Sequence, residues 1–538
     1  MSSFTLSVRT AAVLSAAVVL AFPWLSPLSS GPSASVQPWL VSAACVALLA
    51  LFAPMRTPRG LVAAFTAVAL LAWPHAASTL DAAALAGALG LILLSCGVAR
   101  AAGEDTMRAV VAAWWLAAVI STAIALAQYF GIADRLGPWV SAGEAGQGYA
   151  NLRQRNQFAS LTAIGAAALL WQVRAGGNVV LFSVLAFFLG VGNASSVSRT
   201  GLMELLILAA LTAFWPGRSR AQGQVVGCAL AGYVLGALAL PLLLTAFTGL
   251  QGSSLWQRVA GTDNCSSRAV LWSNVAHLIS ARPWTGWGWG ELDFAHYTSL
   301  YPGARFCDIL DNAHSLPLHV AVELGLPIAA LSCVAILWLM VRARPWAEDD
   351  STRQLAWCVL FILGLHSLLE YPLWYGPFQI ALGLSVGLLC PSQPTQEETR
   401  SAALRLGVVG VFAAGVVYAA IDYRSVSQIY LAPEARLPAY REDPLSRARG
   451  SWLFKTQVDF ADVTLSEVTR ANAQWTFDMA TRLLHYSPEP RIIQKIVDSA
   501  LVLKRDDVLA FHIPRWKAAF PDAYAQWYAS RTDKVMPQ

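Results

Sequence analysis

LQGSSLWQRVAGTDNCSSRAVLWSNVAHLISARPWTGWGWGELDFAHYTSLYPGARFCDILDNAHSLPLHVAVE, residues 250–323, is the one long polar interval in an otherwise apolar chain. It carries Arg258, Arg268, Arg282 and Arg305, then His277, His296 and His314, a Gly/Trp run and two cysteines. Apolar segments long enough to cross a bilayer lie on both sides of it. A loop of this length between spans is either functional or disordered, and its Trp, Tyr and Phe content argues against disorder. The interval reads as the working part of the protein, with the rest as its mounting.

Composition fixes what that mounting is. The chain has 538 residues, 56% apolar and 13% charged, where soluble proteins carry about 25% charged residues. Apolar runs lie at 10–28, 36–53, 61–75, 80–98, 109–131, 157–174, 177–194, 201–215, 224–249, 318–341, 354–370, 375–390 and 406–421. They are continuous and do not alternate, which selects helices over a barrel. The expectation is an all-α polytopic membrane protein with about 13 spans (12–14), several near the lower length limit. The first run has signal-peptide features and is read as a span. The basic residues between the apolar runs sit mostly in short inter-span loops, so the net charge of +5 implies no nucleic-acid partner.

Lys/Arg placement gives an orientation. With the N-terminus in the cytoplasm, the inside loops hold Arg56 and Arg59, Arg100 and Arg108, Arg174, Arg218 and Arg220, Arg342 and Arg344, and Arg400 and Arg405. The outside loops are then 132–156, 195–200, 250–317 and 370–375, and their arginines need another reason. Residues 1–421 read as the transmembrane unit, with 250–317 as its external loop. Residues 422–538 read as an external helical domain, with tetratricopeptide-like hairpins as one form. There, 461–487 is patterned as two amphipathic helices and 491–504 as another.

Four external stretches carry chemistry. Tyr149–Phe158, YANLRQRNQF, opens a span with two arginines, two asparagines and two glutamines; snorkelling arginines at a helix start are the plain alternative. Ser195–Gly201, SSVSRTG, puts Arg199 at a span start, where backbone N–H groups also favour an anion. Within the long loop, RAVLWSNVAHLI begins with Arg268 and places Val270, Leu271, Val275 and Leu278 on one helical face, suited to the membrane surface. The run PWTGWGWG follows, where Trp287 and Trp289 suit sugar stacking or an interfacial belt. His314 then precedes a helix, whose positive end favours a neutral, proton-accepting imidazole. The fourth stretch, HSLLEYPLWY, spaces His366 and Glu370 four apart on one helix face. Cys265 and Cys307 are the two cysteines of the external loop, and an oxidising compartment would join them. The other six lie in or beside apolar runs and show no zinc spacing.

Taken together, these stretches resemble the O-antigen ligase/polymerase superfamily. Within it they resemble the bacterial protein O-oligosaccharyltransferases. SVSRTG with Arg199, the Arg268 stretch running into PWTGWGWG, and DNAHSLPLHVAVELG with His314 look like the ligase core. NLRQRNQFAS and HSLLEYPLWYGPF look like the elements of the protein-glycosylating members. The resemblance covers roughly residues 150–390 and leaves the tail after 421 unexplained.

That resemblance implies an inner-membrane enzyme moving a preassembled glycan from undecaprenyl diphosphate to a hydroxyl on the periplasmic face. The acceptor would be Ser or Thr of a periplasmic protein such as a pilin. Arg199 and Arg268 would hold the diphosphate, and His314 would be the general base. Arg155, Gln154, Asn156, His366, Glu370 and Tyr371 would serve the acceptor. No cofactor and no metal are expected, because the external stretches hold no DxD-like acidic cluster. A lipid A core acceptor (O-antigen ligase) or a growing glycan (polymerase) is the alternative within the class. A flippase would show inverted repeats and mid-span charges, which the chain lacks. A membrane-anchored binding protein would leave Arg199, Arg268 and His314 without a shared purpose.

Overall fold

The computed structural model describes residues 2–250, 265–390 and 401–532. Arg258 and Arg400 lie outside these. The described residues form helices and no strand, with one isolated parallel bridge between Ala76 and Trp289. In order they are α1 (Ser2–Leu25), α2 (Val36–Phe52), α3 (Arg59–Ala72), α4 (Thr79–Arg100), α5 (Glu104–Tyr129), α6 (Arg155–Arg174), α7 (Val179–Ser195), α8 (Arg199–Phe214) and α9 (Arg220–Thr248). The loop contributes α10 (Arg268–Ala281), α11 (Leu292–Thr298) and α12 (Leu316–Leu324). Then come α13 (Leu326–Ala343), α14 (Ser351–Leu369), α15 (Gly376–Leu389) and α16 (Ser401–Ser427). The tail holds α17 (Pro444–Ala448), α18 (Lys455–Leu465), α19 (Ala473–Leu483), α20 (Pro490–Leu503), α21 (Asp506–Ala519) and α22 (Pro521–Thr532).

Among the described residues six helical segments are long and apolar enough to cross a membrane: Thr79–Arg100, Glu104–Tyr129, Arg220–Thr248, Leu326–Ala347, Ser351–Leu369 and Arg405–Tyr430. Shorter apolar helices stand beside them. Apolar surface alone cannot drive such helices together in lipid, so close backbone approach matters. It occurs between α7 and α9. A Cβ on Gly190 would lie 2.0 Å from the Ala229 carbonyl oxygen, and one on Gly232 would lie 2.1 Å from that of Phe187. By contrast α13 buries only Ala329 and turns Leu331, Val334 and Trp338 outward, as a lipid-facing helix should.

The apolar run at 318–341, expected as one span, is two helices. Gly325 breaks it with φ +89°. The Gly/Trp run causes the break. Trp287 N donates to Val322 O (2.9 Å), Gly288 N to Glu323 O (3.0 Å) and Leu326 N to Pro283 O (2.8 Å). The first two bonds occupy carbonyls at the end of α12, and the third takes up the first N–H of α13. Gly286 must be glycine, since a Cβ would lie 2.2 Å from Glu323 O. Trp289 N in turn donates to His75 O, and Ala77 N to Trp289 O, which ties the run to the turn before α4.

α12 thus belongs to the loop. Its Ala321 and Val322 pack with Leu271, Val275 and Leu278 of α10 and with Phe306 and Leu310. The apolar face of α10, expected against the membrane surface, is covered by the loop's own residues. Cys265 and Cys307 are disulfide-bonded, with Cα atoms 5.4 Å apart. In the tail, 461–487 holds the end of α18 and all of α19, separated by Ser466–Asn472. Tail helices share a core of Val463, Leu483, Ile492, Ile496, Val497 and Trp516, and Tyr297 of α11 inserts into it.

Candidate functional site

The expected site stretches meet at one end of the bundle, around Glu370. α14 ends at Leu369, and Glu370 caps it in an extended conformation (φ −157°), its N–H bonded to His366 O. A proline two residues on, Pro372, makes this a natural end to the helix. Having left the helix, the Glu370 side chain points away from its own turn. Oε2 accepts from His314 Nδ1 at 2.7 Å. Oε1 accepts from the Arg268 guanidinium and from Asn156 Nδ2, the latter at 3.0 Å. Burial works against this carboxylate, yet His314 and Arg268 hold its pKa below the usual glutamate value.

His314 sits before α12 in the left-handed region, φ +49°, with its N–H bonded to Asn312 Oδ1. An ionised carboxylate only accepts, so Nδ1 carries a proton and Nε2 is the basic nitrogen. The ring is partly exposed, with Tyr371 edge-on at 5.1 Å. The helix start expected to act on this histidine is therefore one of two fields, and the nearer is the charge of Glu370.

Among the described residues six non-glycine residues have positive φ: Ala150, Arg153, Val197, His314, Arg344 and Lys504. The last two end helices, where such geometry is common. The other four all lie in the stretches singled out from sequence. Backbone strain of this kind collects where a fold fixes functional groups.

Arg155 and Arg199 each open a helix. Gln154 caps α6 by accepting from Gln157 N (2.7 Å), and Ser198 caps α8 by accepting from Gly201 N (3.1 Å). Gln154 is thus engaged as a cap. The two helix starts are joined, because Ser198 Oγ donates to Asn156 Oδ1 at 2.6 Å. Arg199 is exposed, Arg155 partly so, and neither side chain has a hydrogen bond or ion pair among the described residues. Arg268 and Ser198, the neighbour of Arg199, are therefore linked through Glu370 and Asn156.

Two expectations change. His366 does not pair with Glu370 through their side chains. Its Nδ1 lies 2.7 Å from Ser160 Oγ, which is 2.5 Å from Glu204 Oε1. The four-residue rule holds only inside a helix, and Glu370 is outside it. His366 is also buried, so a peptide acceptor cannot reach it. Trp287 is likewise engaged: its indole N–H donates to Leu278 O, and the Arg282 guanidinium covers its ring at 4.1 Å. Trp289 instead stacks on Trp374, with ring centroids 6.3 Å apart and near-parallel planes, and Tyr371 and Tyr375 continue the aromatic patch. Sequence reading missed Ser160 and Glu204, which pair across helices, and took the serines of 195–201 only as part of an anion-favouring helix start. Among the described residues no group of three His, Cys, Asp or Glu side chains is arranged to hold a metal ion.

Three family models match the chain: "Protein glycosylation ligase" over 149–171, "O-Antigen ligase" over 182–333, and "Virulence factor membrane-bound polymerase, C-terminal" over 354–533. Each model covers less than half of the chain; with the relatives below, the matches support a protein O-oligosaccharyltransferase of the O-antigen ligase/polymerase superfamily. It is 24% identical over 437 residues to a general O-oligosaccharyltransferase of Acinetobacter baylyi, covering 76% of this chain and 75% of that protein. It is 25% identical over 246 residues to a ComP-specific O-oligosaccharyltransferase of the same organism, covering 45% of this chain and 44% of the relative.

Proposed function

We propose that this chain is an inverting oligosaccharyltransferase that moves a preassembled glycan from undecaprenyl diphosphate to Ser or Thr hydroxyls of periplasmic proteins, pilins among them. The observation that carries this is the junction at Glu370, where one carboxylate holds a histidine and an arginine side by side. The acceptor hydroxyl gives its proton to His314 Nε2 as its oxygen attacks the anomeric carbon. The bond from that carbon to the diphosphate breaks, and undecaprenyl diphosphate leaves with the electron pair. Glu370 fixes the tautomer and steadies the imidazolium, as the carboxylate of a hydrolase triad does. Arg268 spends one nitrogen on Glu370, which leaves its other N–H groups for phosphate oxygens. Arg199, at the joined helix start, supplies the second guanidinium. Stabilisation of the leaving charge then comes from arginines, with no metal step.

The acceptor side is assigned to Arg155, Tyr371 and the Trp289/Trp374 patch. The loop, with its bonded cysteines, fits an oxidising periplasm. The ligase unit is taken as 1–421 and the tail as a periplasmic helical domain. Co-expression with a lipid-linked glycan pathway and candidate acceptors in a ligase-null host tests the reading. Mass gain on a periplasmic protein, lost with His314→Ala, is the expected result. Glycan on lipid A core alone would make the chain an O-antigen ligase.

A further inference from the structure

We infer that Asn156 is a positioning residue for this transfer: its carboxamide locks the start of α8, and Arg199 with it, to the carboxylate that holds His314 and Arg268. The inference rests on the proposed function. Asn156 is buried and sits in the first turn of α6. Its Nδ2 donates to Glu370 Oε1 (3.0 Å), and its Oδ1 accepts from Ser198 Oγ (2.6 Å). Ser198 Oγ already accepts from Gly201 N, so its hydrogen is committed to Asn156. The chain of bonds has one direction. At one end it needs a donor to an ionised carboxylate, and at the other an acceptor from a hydroxyl. A carboxamide supplies both, whereas a carboxylate or an apolar side chain does not. The turn into Ser198 is itself strained, with Val197 at φ +50°. The proline-ended α14, the strained turn before α8 and the start of α6 thus share one side chain as their joint.

The groups facing Glu370 decide how a substitution reads out. They are His314 and Arg268 in contact, His366 one turn earlier on α14, and Asp311, Tyr371 and Tyr375 nearby. Asn156→Asp sets a second carboxylate against Oε1. While protonated it can still donate to Glu370. Once ionised it repels Glu370, and the joint opens.

The test uses the full chain in lipid nanodiscs, an undecaprenyl-diphosphate-linked glycan and the acceptor found by mass gain. Rates are measured from pH 5 to 9. Asn156→Asp should show a fall in kcat on the alkaline side that the native protein lacks, at least tenfold by pH 8, with acceptor KM within twofold. Ser198→Ala leaves the contact to Glu370 intact. It should raise donor KM several-fold and keep the native pH profile. A native profile for Asn156→Asp, a rise in acceptor KM at unchanged kcat, or native donor KM in Ser198→Ala would each overturn the inference. His314→Ala runs alongside: if it transfers glycan like the native protein, the proposed function fails, separately from the joint.

Discussion

Two histidine–glutamate neighbourhoods sit one helical turn apart at the end of α14. At Glu370 every carboxylate oxygen is partnered, by His314, Arg268 and Asn156, and the histidine keeps partial exposure. Beneath it His366, Ser160 and Glu204 form a second cluster, fully buried, in which Glu204 Oε2 has no partner. Both contain the residue types of acid–base chemistry. Only the first can meet a substrate, and the difference comes from the backbone. Glu370 has stepped out of its helix into extended geometry, while His366 stays within it and faces α6 and α8.

If that contrast is right, His314→Ala has the largest effect. Loss of the proposed general base should lower kcat by about 10²–10⁴-fold, with donor binding retained; native turnover would erase the distinction between the clusters. Glu370→Gln comes next, with about 10²-fold lower kcat, because Gln cannot neutralise an imidazolium. It also changes the response to acid. The folded pKa of Glu370 is depressed, so the group stabilises the fold above the usual glutamate value near ~4.3. That contribution is lost as pH falls through the depressed value. The thermal midpoint of the native protein should therefore drop more steeply below about pH 4 than that of Glu370→Gln, and parallel curves would remove the charge role.

Ser160→Ala sharpens the comparison from the other side. It should cost about 1–3 kcal/mol of stability by leaving buried polar groups unpaired. Turnover per folded molecule should change little; a loss as large as that of Glu370→Gln would make the buried cluster catalytic. The smallest effect is expected from Trp287→Phe set against Trp289→Phe. The ring of Trp287 is covered by Arg282, so Phe there should leave glycan affinity unchanged, while Phe at 289 should weaken it about twofold to fivefold, within the range of aromatic contacts. Equal glycan KM values for the two would make Trp289 a packing residue as well.

The stretches that carry Arg199, Arg268 and His314 stand out in sequence because polar residues inside apolar surroundings announce themselves; that Arg268 and His314 share Glu370 shows only in the fold. Helices matching the apolar runs follow from the same contrast. Hydrophobicity runs unchanged through Gly325 and hides the break, although Gly325 followed by Pro327 is the local sign of a helix end; the carbonyl-binding Gly/Trp run some forty residues earlier shows only in the fold. The partner of Glu370 was misread because spacing of four presumes a helix. Pro372 was the available sign that the helix had ended. Asn156 was visible as a polar residue at a helix start, but its two partners come from α8 and the end of α14, which no local pattern reports.

The tail holds the loop by contacts that arrive late in the chain. Tyr297 Oη meets His512 Nδ1 at 2.8 Å, Glu291 meets His485 at 2.7 Å, and Arg515 Nε donates to Thr298 O. A ribosome makes the groups at α11 between 194 and 217 residues before it makes these partners. Until they are made, α11 lacks this clamp. The Gly/Trp run, bonded to α12 and to His75, does not depend on that clamp, so the loop's turn can settle before its short helix does.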